Sequence, residues 1–294
     1  MATYELHGER ASETGRSEYP HFTAAELAPR VVRSSGLTPA EGSEDMAIIG
    51  AGGGSARPRF AEAHSFRIGG AQQAPGGGKR RRSQDADVFV VHSGQWRFDL
   101  GEKGEDAQLY LSPGDVISVP AGTSRSINNV GTAPGFLWSV HGGDQPRPAD
   151  VDAEEPDARR WTNEEAASLI VRDSPGRDLK EIVAPGAAIG WAHGFILSRI
   201  DLGIGEAWDS LATPSPHVLW CHRGRADISA KDGLIELAEG DTMSVPAGFN
   251  ARITTTEGTV LFKVERFDDE RLREAVPQPG RAQQTEDVRA RQAA

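Results

Sequence analysis

The side chains of this 294-residue chain that could do chemistry fall into two separate stretches. In the first, the run Arg80, Arg81 and Arg82 stands shortly before Asp87, and Arg125 follows further on. Guanidinium groups stay protonated and present a rigid fork of donors, so they suit bidentate contacts to a carboxylate, a phenolate or a phosphate. The same residues have two plainer readings. One is a buried Arg–Asp pair that serves the structure and costs desolvation unless well paired; the other is a basic run on a solvated loop. In the second stretch stand His217 and Cys221. An imidazole titrates near neutrality and could act as a general acid or base, or be a hydrogen-bonded core residue. Cys221 reads more readily as a small buried apolar residue than as a nucleophile. Trp191, Trp208 and Trp220 could wall an aromatic ligand, or fill a core or an interface.

The elements that must position these residues are short strands. FRIGGAQQ, DVFVVHSGQWRFDL, DAQLYLSPGDVISVPAG and PGFLWSVHG alternate apolar and polar residues and are separated by PGGG, GEKG, SPGD and PAGT turns. In the second stretch the same alternation places His217, Leu219 and Cys221 on one face and Val218, Trp220 and His222 on the other. Thr162 with Glu165 forms a capping box before a short helix, and another short helix is expected at Thr23 to Arg30.

An internal repeat sets the architecture. LSPGDVISVPAG at 111–122 recurs as LAEGDTMSVPAG at 237–248, and FVVHSGQWRF at 89–98 recurs more loosely as LWCHRGRADI at 219–228. His64 and Phe66 recur as His193 and Phe195. Three matches in one order, about 126 to 130 residues apart, mean a duplicated domain. His64 and His193 are therefore equivalent, with a shared place inside each unit or at the face between them. His92 and His222 are equivalent too, and alternation sends them to the face opposite His217, as inter-sheet or surface residues. Many short antiparallel strands favour closed barrels or jelly rolls, which leave no exposed edge.

The expected organisation is an N-terminal arm at 1–44, a first barrel at 45–143, an acidic linker with a short helix at 144–180, a second barrel at 181–266 and a polar tail at 267–294. A net charge of −11 argues against nucleic acid or an anionic membrane as partner. The single cysteine rules out an internal disulfide, and there is no apolar signal core or long apolar run, so a cytoplasmic protein is expected.

These motifs resemble those of the bicupins, the two-domain members of the cupin superfamily, and in particular the quercetin dioxygenase-like ones. The second cupin motif, G-x5-P-x-G-x2-H-x3-N, is matched by Gly114, Pro120, Gly122 and Asn129, with Arg125 in the histidine's place. In the other copy it is matched by Gly240, Pro246 and Gly248, with Ala251 and Thr255 replacing histidine and asparagine. In the first motif, H-x-H-x3-4-E-x6-G, the glutamate position holds Asp87 before Gly94 and His217 before Gly224, and neither copy supplies the paired histidines. The resemblance covers about two-thirds of the chain. It implies an all-β fold of two tandem jelly-roll barrels, with Asp87, Arg125, His217 and Cys221 facing inward.

Cupins hold Fe, Mn, Ni or Zn with three imidazoles and a carboxylate, a set absent from these positions. No cofactor is expected there; a rearranged metal site would draw on His193 and His217. The functional expectation is a small organic ligand, aromatic or carboxylated, bound in one barrel. His217 and His193 are the candidate catalytic residues, and Arg125, Asp87, Arg81, Trp208 and Cys221 the candidate ligand contacts. Metal-independent proton-transfer chemistry (isomerase, cyclase or lyase) is the first reading. A dioxygenase with a rearranged ligand set and a non-catalytic binding or scaffold protein are the alternatives. A homo-oligomer is expected if the N-terminal arm swaps onto a neighbouring molecule.

Overall fold

The computed structural model describes residues 22–37, 45–50, 58–60, 64–76, 78, 80–101, 104, 106–143, 160–174, 178–191, 193–210 and 212–267. The acidic linker at 144–159, the tail from 268 and the arm before Phe22 lie outside them. In chain order, helix α1 (Ala24–Leu27) and strand β1 (Val31–Val32) come first. Nine strands follow: β2 (Asp45–Ile49), β3 (Phe66–Gln73), β4 (Arg80–Arg82), β5 (Asp87–Ser93), β6 (Trp96–Leu100), β7 (Ala107–Leu111), β8 (Val116–Val119), β9 (Ser124–Asn129) and β10 (Gly135–Gly142). Helix α2 (Asn163–Ala167) and β11 (Ile170–Val171) repeat the opening pair. The second set is β12 (Asp178–Val183), β13 (Phe195–Leu202), β14 (Ala207–Ser210), β15 (His217–Arg223), β16 (Arg225–Ser229), β17 (Leu234–Ala238), β18 (Thr242–Val245), β19 (Ala251–Thr254) and β20 (Thr259–Arg266).

The strands form two similar barrels, each a six-stranded sheet facing a four-stranded one. The large sheets run β11-β8-β5-β10-β3-β2 and β1-β18-β15-β20-β13-β12; the small ones run β4-β9-β6-β7 and β14-β19-β16-β17. The repeated Gly-Asp turn shows why its residues recur. Gly114 and Gly240 have φ of 91° and 82°, a conformation that glycine enters without steric cost. The aspartate that follows, Asp115 or Asp241, is buried and accepts the backbone N–H of Ser112 or Ala238, which closes the turn.

The same aspartates hold the two halves together, by a reciprocal exchange. The segment before each barrel docks on the other barrel: β1 pairs with β18, with Val31 opposite Met243, and β11 pairs with β8, with Ile170 opposite Ile117. Arg33 donates to Asp241 at 2.6 Å and Ser34 N–H at 2.8 Å; Arg172 donates to Asp115 at 2.8 Å and Asp173 N–H at 2.7 Å. Both leading helices carry the Thr-x-x-Glu capping box, Thr23 with Glu26 and Thr162 with Glu165. The described part of the arm thus docks on its own chain. Its Leu27 is fully buried in the core of its own chain's second barrel, and β1 covers the edge of β18.

Two large apolar clusters, beside a small third one of Ala184, Ile196 and Phe267, make up the core of the described residues. One runs through barrel one and on across the face between the barrels, where Trp138 stacks on Trp220 and Trp220 on Phe262 at centroid distances of 5.4 and 5.1 Å. The other lies in barrel two, with Leu219, Cys221, Met243, Val245, Ala251, Ile253 and Leu261 among its members. This division orients β15: Leu219 and Cys221 face the interior of barrel two, whereas Val218 and Trp220 face barrel one. Among the described residues no helix is long and apolar enough to cross a membrane.

Candidate functional site

In barrel one the motif residues bond to one another. Arg125, opposite Arg81 in the β4–β9 register, donates from Nη2 to Asp87 Oδ2. Asp87 Oδ1 accepts from His141 Nδ1 at 2.8 Å and from Ser83 Oγ at 3.3 Å. Arg125 also lies over the Phe89 ring at 5.5 Å. Asp87 is 0% exposed and Arg125 3%, so the pair is withdrawn from water and the carboxylate is satisfied from three sides. A tethered guanidinium thus occupies the acid that would otherwise face a metal cation. His141 is a residue the motifs do not point to: it lies on β10, outside both motif segments, and only its place beside Asp87 reveals it.

Arg81, an expected ligand contact, is exposed, which puts it at the rim of the barrel and not inside. Its strand is an edge of the four-stranded sheet, so its side chain has solvent beside it. Arg82 is half-buried and donates to Ser124 Oγ at 3.1 and 3.2 Å. The side chain of Arg80 lies outside the described residues.

In barrel two His217 points to the interior, on the face of β15 that carries Leu219 and Cys221, and it is fully buried. Its Nδ1 lies 3.0 Å from Thr213 Oγ1, and its Nε2 has no hydrogen-bond partner among the described residues. Burial pushes its pKa down to about 3, with Lys263 and His64 acting in the same direction. Two hydroxyls on the same interior share this lack of a partner. Ser198 follows the interior residue pattern of Ile200 on β13, and Ser210 lies opposite the core residue Ala251; both are fully buried. Lys263, directly opposite Ser198, is paired with Glu265 at 2.8 Å. Trp208, two residues before Ser210 on β14, is half-buried against the same core. Ser198 and Ser210 carry no motif signal, since a serine in a strand is ordinary; only burial without a partner marks them.

The other residues considered for the site are placed as follows. His193 is not in barrel two with His217: its Nε2 meets Ser118 Oγ of barrel one at 3.0 Å, while the equivalent His64 meets Ser244 Oγ of barrel two at 2.9 Å. The repeat makes this exchange symmetric, each histidine reaching the opposite barrel, so His193 and His217 do not form a ligand pair. Burial also lowers His193 to about 4. Cys221 lies in the apolar core of barrel two, where burial pushes its thiol up to about 12, and its Sγ donates to the carbonyls of Gly224 and Arg223. It packs among the apolar residues of that interior. Trp220 belongs to the face between the barrels, as do His92 and His222, whose Nδ1 atoms are 3.3 Å apart. Trp191 is nearly buried with its ring 5.8 Å from that of His193.

The sequence matches no family model and no curated protein. Solved structures are nevertheless similar over most of the chain. Salicylate 1,2-dioxygenase from Pseudaminobacter salicylatoxidans superposes with a TM-score of 0.58 at 13% identity, over 85% of this chain and 87% of that one. The bacterial pirin YhhW from Escherichia coli, solved in complex with nickel(II), gives 0.57 at 14% identity over 80% and 98%. A Cupin 2 conserved barrel domain protein from Leptotrichia buccalis gives 0.51 at 12% identity over 84% and 100%. Likeness at such identities establishes the fold alone.

The motif positions at which cupins carry their metal ligands can be compared with the donors present here. Barrel one offers Asp87 and His141, but a fixed cation, Arg125, already bonds that carboxylate. Barrel two offers the single imidazole of His217. A divalent ion needs about four converging donors, so neither set fits one at the motif position. Among the described residues no group of three or more His, Cys, Asp and Glu side chains is gathered closely enough to hold a metal.

Proposed function

We propose that this chain, which has the two-barrel fold of the cupins, binds a small organic molecule inside barrel two, with His217 as the central polar contact and barrel one as the structural half. One contrast carries the reading. In barrel one the Asp87 carboxylate accepts from Arg125, His141 and Ser83, whereas Nε2 of His217 and the hydroxyls of Ser198 and Ser210 in barrel two lack partners among the described residues. Buried polar atoms in native proteins are almost always paired, and a ligand would pair these. Half-buried Trp208 supports an aromatic or alicyclic body for that ligand at the mouth of the barrel.

The same geometry favours binding over proton-transfer catalysis. General acid–base chemistry works best when the catalytic pKa lies near the working pH. His217, pushed down to about 3, is neutral across that range and serves better as a hydrogen-bond acceptor than as a proton carrier.

Ligand-observed NMR against a mixture of small alcohols, amides, phenols and carboxylic acids tests the assignment to barrel two. A compound retained by the wild-type protein should be released by His217→Phe and kept by His141→Phe. The reverse pattern, binding lost with His141→Phe alone, would move the site to barrel one.

A further inference from the structure

Resting on the reading of barrel two as the ligand-bearing barrel, we infer that His217 is locked as the Nδ1–H tautomer and that its site takes a neutral ligand group donating an O–H or N–H hydrogen bond to Nε2. The argument begins at Thr213. Its Oγ1 lies 2.6 Å from the carbonyl oxygen of Ser215 and 3.0 Å from His217 Nδ1. A carbonyl can only accept, so the one hydroxyl proton of Thr213 goes to Ser215. Toward His217 the same oxygen can then only accept, and Nδ1 must carry the imidazole's proton. In a neutral ring this leaves Nε2 as a bare lone pair, buried in the barrel and without a partner among the described residues.

Such an atom selects its ligand by chemistry. A buried acceptor left unpaired is costly, and the cost disappears when a donor reaches it. A carboxylate brings only lone pairs and would face Nε2 repulsively unless the ring were protonated. Burial, Lys263 and His64 all oppose that protonation. The lysine on this interior, Lys263, already donates to Glu265. The hydroxyls of Ser198 and Ser210 can turn to donate or accept, so they suit the remaining polar atoms of an alcohol, an enol or an amide. On this reading the ligand is an uncharged hydroxyl- or amide-bearing molecule, in place of the carboxylated one that the arginines of barrel one suggest.

Two readouts on histidine-selective 15N-labelled protein test this. Two-bond 15N–1H correlation spectra should give His217 the neutral Nδ1–H pattern from pH 8 to pH 5, and Thr213→Val should release it into exchange between tautomers. Titration with cyclohexanol should shift the Nε2 resonance saturably. Methoxycyclohexane, which lacks the donor, and cyclohexanecarboxylate, which is charged, should bind at least about tenfold more weakly. An Nε2–H or imidazolium pattern at pH 7 overturns the tautomer assignment. A carboxylate that binds as well as the alcohol, or no saturable response to the alcohol, overturns the ligand class. Neither result touches the placement of the site in barrel two, which stands or falls with the His217→Phe and His141→Phe comparison.

Discussion

Replacing Arg125 with Met tests the claim that barrel one is closed by its own ion pair. Asp87 is 0% exposed and Arg125 3%, and the two bond directly. Removing the guanidinium takes from a buried carboxylate its charged hydrogen-bond donor and leaves it His141 and Ser83 among its partners. Breaking a buried pair from one side costs about 3–5 kcal/mol, chiefly because the surviving charge stays in a poor solvent. For a chain of this size each kcal/mol lowers Tm by roughly 2–4 °C, so the variant should melt roughly 6–20 °C below wild type. The double variant Asp87→Leu with Arg125→Met removes both charges and should recover much of that loss, since a buried pair is worth little against well-packed apolar replacements. Thermal and urea unfolding followed by circular dichroism give both values. If Arg125→Met costs less than about 1 kcal/mol, or the double variant is no better than the single, the pair does not close barrel one and Arg125 returns as a candidate ligand contact.

Further outcomes follow from the same structure. Leu27→Ala should destabilise barrel two by about 2–5 kcal/mol, measured by urea unfolding, because the arm is part of that barrel's core; a loss near zero would mean the arm is not docked in solution. Burial lowers the folded-state pKa of His193 to about 4 and of His217 and His222 to about 3, below the ordinary 6.5, so the folded protein binds fewer protons than the unfolded one. Their contribution is then complete above pH 6.5 and is lost as pH falls toward 3, with a slope of up to about 1.4 kcal/mol per pH unit for each histidine. Urea midpoints that stay constant from pH 7 to pH 4 would contradict that burial. Cys221, with its thiol pushed up to about 12, should resist alkylation in the native protein and react only on unfolding; stoichiometric labelling of folded protein within minutes would refute its place in the core.

The double barrel is legible in the sequence because GDxxSVPAG encodes a turn whose glycine and aspartate have few substitutes, and the turn occurs twice. Motif spacing likewise brings Asp87 and Arg125 within reach of each other. What sequence reading misses is decided across the duplication. The docking of each lead-in segment on the opposite barrel is written in a second repeat, Thr23 to Glu26 then Val31-Val32-Arg33 against Thr162 to Glu165 then Ile170-Val171-Arg172, whose longer spacing hides it from the first. The crossing of His64 and His193 into opposite barrels follows from that pseudo-symmetry, which no single segment contains. His141 escapes because its partner Asp87 is 54 residues away and nothing local links them.

The most direct measurement is a crystal structure of the protein with the compound that His217→Phe fails to retain. The account predicts ligand density inside barrel two, with a donor atom within hydrogen-bond distance of His217 Nε2 and the Asp87–Arg125 pair intact. Density in barrel one that draws Arg125 away from Asp87 would contradict it.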